Sequence, residues 1–282
     1  MLDSKKNNRS AFEKHQEFVF DSLKKSNKND SVIDDSSSGY SESIDVIFTT
    51  PESYTSPNSV LRSALFGLVE KGKRKFEKGV IKAALNGYVI KYTGEQLDQS
   101  DFDVWLELLK RFSEEKSENV IFSFNSFLNS INRNSGQKDY LWLKGVLTRL
   151  QACSVEISYK NVTYQGTLVT RMIRGDEDND VIQGVVLNKE LFVLFSGKDW
   201  TLIDRNIRIS LKGKPLAQWL YSFYCTHKEP IPYSVEMIKS LCGSEASNIY
   251  SFKQTLKKNL CVIQNETSWK CYIDNNKVYI EK

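Results

Sequence analysis

The chain has 282 residues, with 39 lysine and arginine side chains against 35 aspartate and glutamate side chains, and 40% of its residues are hydrophobic. This composition is typical of a water-soluble protein of one or two domains, and no apolar run is long enough for a membrane span or a secretion signal. Five cysteines without a CxxC pair and only two histidines predict a reduced, cytoplasmic chain that holds no disulfide, metal or cofactor.

The first 58 residues are predicted to form a mostly disordered tail. They carry ten acidic against seven basic side chains and twelve serines. Such a segment buries too little apolar surface to offset the entropy lost on ordering. One amphipathic pattern within the tail, over residues 12–23, predicts a helix that forms only on a partner.

A first folded unit is predicted over residues 59–205. Its predicted helices cover residues 60–70, 101–112 with Ser100 as the amino-terminal cap, 125–131 and 138–152. Its predicted strands cover residues 80–85, 88–92, 120–124, 155–160, 164–173 and 181–186. Two helices across a turn, followed by a β-hairpin, occur in the order of a winged helix.

A second unit, over residues 206–282, repeats that order. Its predicted helices cover residues 214–225, 234–242 and, after a cap at Ser244, 245–260. Predicted β segments follow at 261–265 and at 269–280, the latter around an Asn275–Asn276 turn. The predicted fold class is therefore α+β, with two tandem winged-helix domains preceded by a mostly disordered polar tail.

The long helix of the second unit is the first candidate for reading DNA. Its apolar residues share one side, which leaves hydroxyl and amide groups near its start and lysines toward its end on the other side. Short polar groups suit base edges in a major groove, and lysines suit phosphates. A solvated helix face is the alternative, but residues 201–282 carry 12 basic against 7 acidic side chains, which favours DNA. The predicted contact residues are Ser247, Asn248, Tyr250, Ser251, Gln254, Lys257 and Lys258.

The long helix of the first unit gives a less clear pattern. Lys138, Lys144 and Arg149 are candidate DNA contacts. An outward Leu141 and Gly145 are unusual for base reading, however, and are equally consistent with a protein partner. Other phosphate candidates lie elsewhere in this unit, although a run of charges is most often only a solvated loop. They are Lys71, Lys73, Arg74 and Lys75 in a turn, and Arg171 and Arg174 on a strand.

Catalysis is not expected from this sequence. The phosphate-binding pattern GxxxxGK[ST] is absent, and two isolated histidines cannot form the metal pair of a strand-nicking enzyme. His227 is predicted to be a helix-terminal residue and not a base. The chain is therefore predicted to act by binding and not as an enzyme.

Seven short runs lie between about residues 57 and 260. No single run is specific to one protein family, but the series of runs in this order is. They are PNS at 57–59, RSALF at 62–66, YTGEQL at 92–97, RLQA at 149–152, VLFSG at 193–197, HKEP at 227–230 and LCGS at 241–244. Together these runs resemble the TrfA-type plasmid replication initiators. By this resemblance, the helix after residues 242–244 corresponds to the carboxyl-terminal reading helix of the family and residues 138–151 to the amino-terminal one.

The resemblance implies an initiator whose two winged helices bind direct repeats (iterons) in a plasmid origin and promote opening of an adjacent AT-rich region. It also implies three host partners, which are the initiator DnaA, the replicative helicase and the polymerase clamp. Double-stranded origin DNA is the predicted ligand. Single-stranded AT-rich DNA and a second copy of the chain, in a homodimer, are further candidates, and no membrane partner is expected.

The chain departs from the family at Asn248, Tyr250 and Ser251, where the family's reading helix is more basic, and this implies a different target repeat. The family's clamp-binding pentapeptide has no clean copy. The nearest run, at residues 16–20, has Glu17 where leucine is expected. A transcriptional repressor that binds operator repeats with the same two domains stays an alternative, because fold and charge do not separate initiation from repression.

Overall fold

The computed structural model describes residues 50–282, apart from residues 86, 116, 118, 161, 178 and 179. The predicted tail helix over residues 12–23 lies outside the described residues. A 3-10 helix occupies Lys189–Lys198. In chain order the other elements are β1 (Ser53–Pro57), α1 (Asn58–Leu61), β2 (Phe66–Gly67), β3 (Phe76–Lys82), β4 (Val89–Glu95), β5 (Leu97–Asp98), α2 (Gln99–Glu115), β6 (Asn119–Ser123), α3 (Phe124–Ser130), α4 (Gln137–Ala152), β7 (Ser154–Tyr159), β8 (Val162–Gly166), β9 (Arg171–Glu177), β10 (Asp180–Val186), β11 (Trp200–Asp204), α5 (Arg205–Ser210), α6 (Pro215–Cys225), β12 (Tyr233–Ser234), α7 (Val235–Leu241), α8 (Ile249–Glu266), β13 (Lys270–Asp274) and β14 (Lys277–Glu281).

Strand β1 corrects the predicted boundary of the tail at residue 58. All five of its residues are buried, and they pair antiparallel with β11, with Ser53 opposite Asp204 and Pro57 opposite Trp200. The Tyr54 side chain is only 2% exposed. Burial and pairing with a strand far along the chain therefore order a segment that composition alone assigns to the tail.

The predicted helix over residues 60–70 is wrong beyond residue 61. Helix α1 ends at Leu61, and the Ser63 hydroxyl donates to the Val60 carbonyl at 2.9 Å. Local side-chain hydrogen bonds of this kind compete with helical ones. The chain instead forms β2, which pairs in parallel with β5.

The other helices predicted for the first unit are confirmed as α2, α3 and α4, to within three residues at each end. The cap of α2 differs from the prediction, because the Asp98 carboxylate accepts from the backbone amides of Ser100 and Asp101, at 2.8 and 3.0 Å. A carboxylate is favourable at the positive end of a helix dipole. After α4 the chain forms the hairpin β7–β8 within a sheet of order β3-β4-β7-β8, and the predicted strand over 164–173 is divided between β8 and β9.

The second unit has the predicted order of helix, short helix, long helix and hairpin, in α6, α7, α8 and β13–β14. Two details differ. Helix α8 begins at Ile249 with Asn248 as its cap, and not after Ser244. Residues 261–265 continue this helix to Glu266 and do not form a strand, because Ile263 extends the buried stripe of the helix and is 0% exposed.

The two units meet at a buried arginine. Arg208 on α5 is 1% exposed and donates to the Asp103 carboxylate on α2 and to the Ser222 hydroxyl on α6, both at 2.7 Å. A buried charge is tolerated when it is paired and hydrogen-bonded in this way. One hydrophobic core also runs through both units. The first unit and the helices that support α8 are therefore joined by both polar and apolar contacts.

Candidate nucleic-acid interface

Helix α8 presents a polar, basic strip to solvent. Tyr250 is 76% exposed, and residues 249–265 include no acidic side chain. The opposite side is buried in the core, through Phe252, Leu256, Leu260 and Ile263. The predicted outward positions on this helix are confirmed, and their contact with DNA stays a prediction. The α8 strip consists of the exposed side chains Tyr250, Ser251, Gln254, Lys257 and Lys258.

The start of α8 is fixed by a cap and by a close approach to the first unit. The Asn248 side-chain oxygen accepts from the Tyr250 backbone amide at 2.8 Å, so this predicted DNA contact also serves as the helix cap. Gly243, which follows α7, has a φ of 67°, and a Cβ atom there would lie 3.2 Å from the Ala64 Cβ. Glycine allows both the left-handed turn and this close packing.

A groove of about 810 Å³ runs along one flank of α8 and joins the two units. The structure thereby brings one lysine of the predicted basic turn, Lys73, to the same surface as the start of the predicted reading helix. The groove is lined by residues of both units. From the second unit they include Gly213, Lys214, Pro215, Leu216, Ser247, Asn248, Ser251, Thr255 and Asn259, and from the first unit they include Leu68, Val69, Glu70 and Lys73.

The β13–β14 hairpin lies on the other flank of α8. The Lys253 ammonium group donates to the Asn276 side chain at 2.9 Å, and the Gln264 side chain accepts from the Cys271 backbone amide at 3.1 Å. Asn275 and Asn276, at the tip of the hairpin, have positive φ values of 44° and 60°, as a tight two-residue hairpin turn requires. Helix and hairpin therefore form one continuous surface.

The basic turn contributes exposed ammonium groups that already have acidic neighbours. Lys73 is paired with Glu70 at 2.8 Å, and Lys75 with Glu245 at 2.5 Å. Hydrogen bonds from Lys75 and Gln96 lower the pKa of the Glu245 carboxyl. Pairs this exposed contribute little to stability and exchange readily, so Lys71, Lys73 and Lys75 stay candidates for phosphate contact.

Two of the predicted DNA contacts, Arg74 and Arg149, have a structural role instead. Both donate to the carboxylate of Asp101, which is 0% exposed, at 2.7 Å from Arg74 and 2.6 Å from Arg149. Arg74 also bonds the Asp98 carboxylate and the Gln96 carbonyl. Because each guanidinium group compensates a buried charge, neither arginine stays a candidate for contact with DNA.

Helix α4 turns a different kind of surface to solvent. Lys138 and Lys144 are exposed as predicted, and Leu141 is 64% exposed between them. Nearby, the Arg133 guanidinium pairs with Asp139 at 2.8 Å and lies over the Trp142 ring at 3.6 Å from its centre. The α4 face, defined here as Lys138, Leu141, Lys144, Gly145 and Thr148, therefore combines an apolar centre with basic flanks.

The remaining predicted residues lie on β9 or at the end of α6. Arg174 donates to the Gln183 side chain at 3.3 Å and lies over the Phe124 ring, and Arg171 is half-buried on the same strand. His227 directly follows the α6 cap, and its Nδ1 lies 3.0 Å from the Phe223 carbonyl oxygen. This is the helix-terminal position that the sequence predicts for His227.

Sequence reasoning missed two exposed lysines near the strip, Lys214 at the groove and Lys277 on the hairpin. The basic excess of residues 201–282 includes both of them but does not locate them. Within the described part of the chain, no three His, Cys, Asp or Glu side chains are grouped to hold a metal ion. Across the same residues, no helix has both the length and the apolar character needed to cross a membrane.

Two crystal structures of domains 2 and 3 of RctB have a similar fold. One covers 80% of this chain and 99% of its own, with a TM-score of 0.57 and 11% identity. The other covers 76% of this chain and 92% of its own, with a TM-score of 0.51 and 12% identity. At these identities the likeness concerns the fold alone, a mixed α and β architecture that RctB forms from two consecutive domains.

The sequence matches are more specific. The family model described as TrfA protein matches residues 38–272. The plasmid replication initiator protein TrfA of Escherichia coli is 25% identical over 207 residues, which are 70% of this chain and 53% of that protein. The chain therefore spans about half the length of this relative. Because the family model matches most of the sequence, the chain belongs to the TrfA family.

Proposed function

We propose that this chain is a plasmid replication initiator that binds direct repeats in an origin through two winged helices. The α8 strip carries this proposal, because it presents hydroxyl, amide and ammonium groups without an acidic residue, between a groove and a hairpin. Membership of the TrfA family supports the same function. The order of elements in each unit, with a long helix before a hairpin, supports two winged helices whose long helices read DNA.

The strip divides into two chemical parts. Ser251 and Gln254 have hydrogen-bonding groups suited to base edges, while the ammonium groups of Lys257 and Lys258 suit phosphates. The two lysines were expected near the helix end, but they lie in its middle because α8 continues to Glu266. On the groove side, Lys73 and Lys214 extend the phosphate contacts beyond α8. In this arrangement α8 supplies the sequence reading, and the lysines around it hold the DNA backbone.

Binding to the repeats promotes opening of an adjacent AT-rich region and brings in DnaA, the replicative helicase and the polymerase clamp of the host. The chain performs these steps in the cytoplasm without hydrolysing nucleotide and without cutting DNA. Family membership supports these finer steps, and the absence of a phosphate-binding loop in the sequence supports the lack of hydrolysis.

The experiment begins with the DNA beside the gene. We expect direct repeats whose centres are spaced by whole helical turns, about 10.5 bp or a multiple. The purified 282-residue chain should protect these repeats in a footprint without ATP. On supercoiled plasmid that carries the repeats, it should also make the AT-rich region reactive to a probe of unpaired thymines.

Three possible results of these experiments would favour another function. Footprints over a promoter alone, without an AT-rich neighbour that opens, would identify a repressor. Protein-dependent nicking or ATP hydrolysis that persists through purification would show an enzyme. A chain that binds repeats no more tightly than unrelated DNA would contradict the proposed function.

A further inference from the structure

The α4 face has an apolar side chain at its centre, where the α8 strip is polar. Leu143, Val146, Leu147 and Leu150 bury the opposite side of α4, and by helical spacing Leu141 lies close to the middle of the exposed side. An isolated exposed leucine is ordinary on a protein surface. Leu141 differs from such an isolated leucine in the residues that surround it.

Positive charge flanks Leu141 on both sides. Lys138 and Lys144 lie three residues before and three residues after it, and both are exposed. The one acidic residue of this helix, Asp139, is compensated by Arg133 at 2.8 Å. The face therefore complements a polyanion better than a neutral or basic protein partner.

The same face offers few hydrogen-bonding groups to a base. Gly145, one turn after Leu141, has no side chain, so the helix backbone can approach a ligand closely there. The Thr148 hydroxyl donates to the Lys144 carbonyl within the helix at 2.9 Å. This bond occupies the only hydroxyl proton of the face, and Leu141 offers a base an apolar contact instead.

We propose that α4 enters a major groove and that Leu141 recognises thymine through its C5-methyl group, an inference that rests on the proposed DNA-binding function. Thymine presents this methyl group in the major groove, and apolar side chains recognise it by contact. Lys138 and Lys144 contact the flanking phosphates, and Gly145 allows the helix to lie deep in the groove. The two units thus read DNA differently, α8 by hydrogen bonds and α4 by methyl contact.

Uracil tests this inference, because it pairs as thymine does and lacks only the methyl group. A duplex is selected from a random-sequence pool with the 282-residue chain and is then synthesised with uracil replacing thymine, one position at a time. Binding is measured for the unaltered chain, Leu141→Ala, Leu141→Met and the control Ile231→Ala. Ile231 is 61% exposed in the loop before β12, so it matches Leu141 in exposure and lies in the other unit.

The unaltered chain and Ile231→Ala should bind the thymine duplex about fourfold more tightly than the duplex with uracil at the contacted position. Leu141→Ala should lose this preference at that position only, and Leu141→Met, which keeps an apolar contact, should retain most of it. If Leu141→Ala and the unaltered chain prefer thymine over uracil equally, or if neither prefers thymine, the inference is overturned. The proposed DNA-binding function would survive either result. A pool that yields no duplex bound more tightly than unrelated DNA would instead contradict the proposed function, and the inference with it.

Discussion

Helices α4 and α8 occupy the same place in their units, each after a short helix and before a hairpin, yet they use basic side chains differently. Arg149 of α4 is bound to the buried Asp101, whereas Lys257 and Lys258 of α8 are exposed. The rigid fork of donors on a guanidinium group suits a buried multidentate pair, and the compact ammonium group binds an exposed phosphate as a point charge. The number of basic residues in a unit therefore overstates the basic surface that it can offer to DNA.

The largest expected effect comes from breaking the buried cluster of the first unit. Asp101→Ala leaves Arg74 and Arg149 without their shared partner, so we expect the free energy of unfolding to fall by about 3–5 kcal/mol. Glu70→Ala is the matched control, because it removes the partner of an exposed lysine in the same turn, and should cost less than about 0.5 kcal/mol. Urea denaturation of both variants measures the difference. Equal losses of unfolding free energy would show that the ion pairs of Asp101 contribute no more to stability than the exposed pair of Glu70 and Lys73.

A smaller effect is expected from two glycines that share a left-handed conformation but differ in packing. Gly72, in the basic turn, has a φ of 77° and no atom within 4 Å of the position that a Cβ atom would take, whereas Gly243, before α8, packs against Ala64. Gly72→Ala should cost about 1–2 kcal/mol from backbone strain alone. Gly243→Ala should cost about 1 kcal/mol more, because the added methyl group overpacks the contact between the units. Thermal melting of the two variants tests whether α8 is anchored on the first unit.

The stability of the fold is expected to depend on pH through a histidine at the end of α6. This helix packs against α8. Burial lowers the pKa of His227 from its ordinary value of 6.5, and its Nε2 lies 3.0 Å from the Tyr233 hydroxyl. Because the unfolded chain takes up this proton more readily, stability should be full above pH 6.5 and should decrease as the pH falls through that value. His227→Gln should remove this part of the pH dependence in urea denaturation between pH 5 and 7.5. An unchanged slope would place the histidine in water and contradict the packing of this corner.

Local patterns predicted the elements that carry the α8 strip. The stripe of Phe252, Leu256 and Leu260 fixed the outward residues of α8, and the Asn275–Asn276 pair fixed the hairpin turn. The pattern predicts the end of α8 wrongly, because residues 261–263, Cys-Val-Ile, are an apolar run typical of a strand. Ile263 nevertheless lies three residues after Leu260, on the same helical stripe, and packing against the core decides between the two.

The remaining errors come from contacts between residues that are far apart in sequence. Composition does not predict strand β1, because its partner β11 lies more than 140 residues away and averaged composition cannot show such pairing. Nothing near Arg74 or Arg149 in sequence indicates Asp101, so sequence pattern alone places both arginines among the DNA contacts. The groove that brings Lys73 to α8 depends on the packing of the two units and has no local sequence pattern.

The central claim, that the α8 strip reads sequence, is tested most directly by a salt titration of Gln254→Ala and Lys258→Ala on a selected repeat and on unrelated DNA. Lys258→Ala should weaken binding to both DNAs and reduce the slope of log affinity against log salt concentration by about one unit. Gln254→Ala should leave the slope unchanged and cost about 1–3 kcal/mol on the repeat alone, as loss of a bidentate contact to adenine would. If both variants weaken binding to the two DNAs equally, α8 does not read sequence, and the specificity belongs to the first unit.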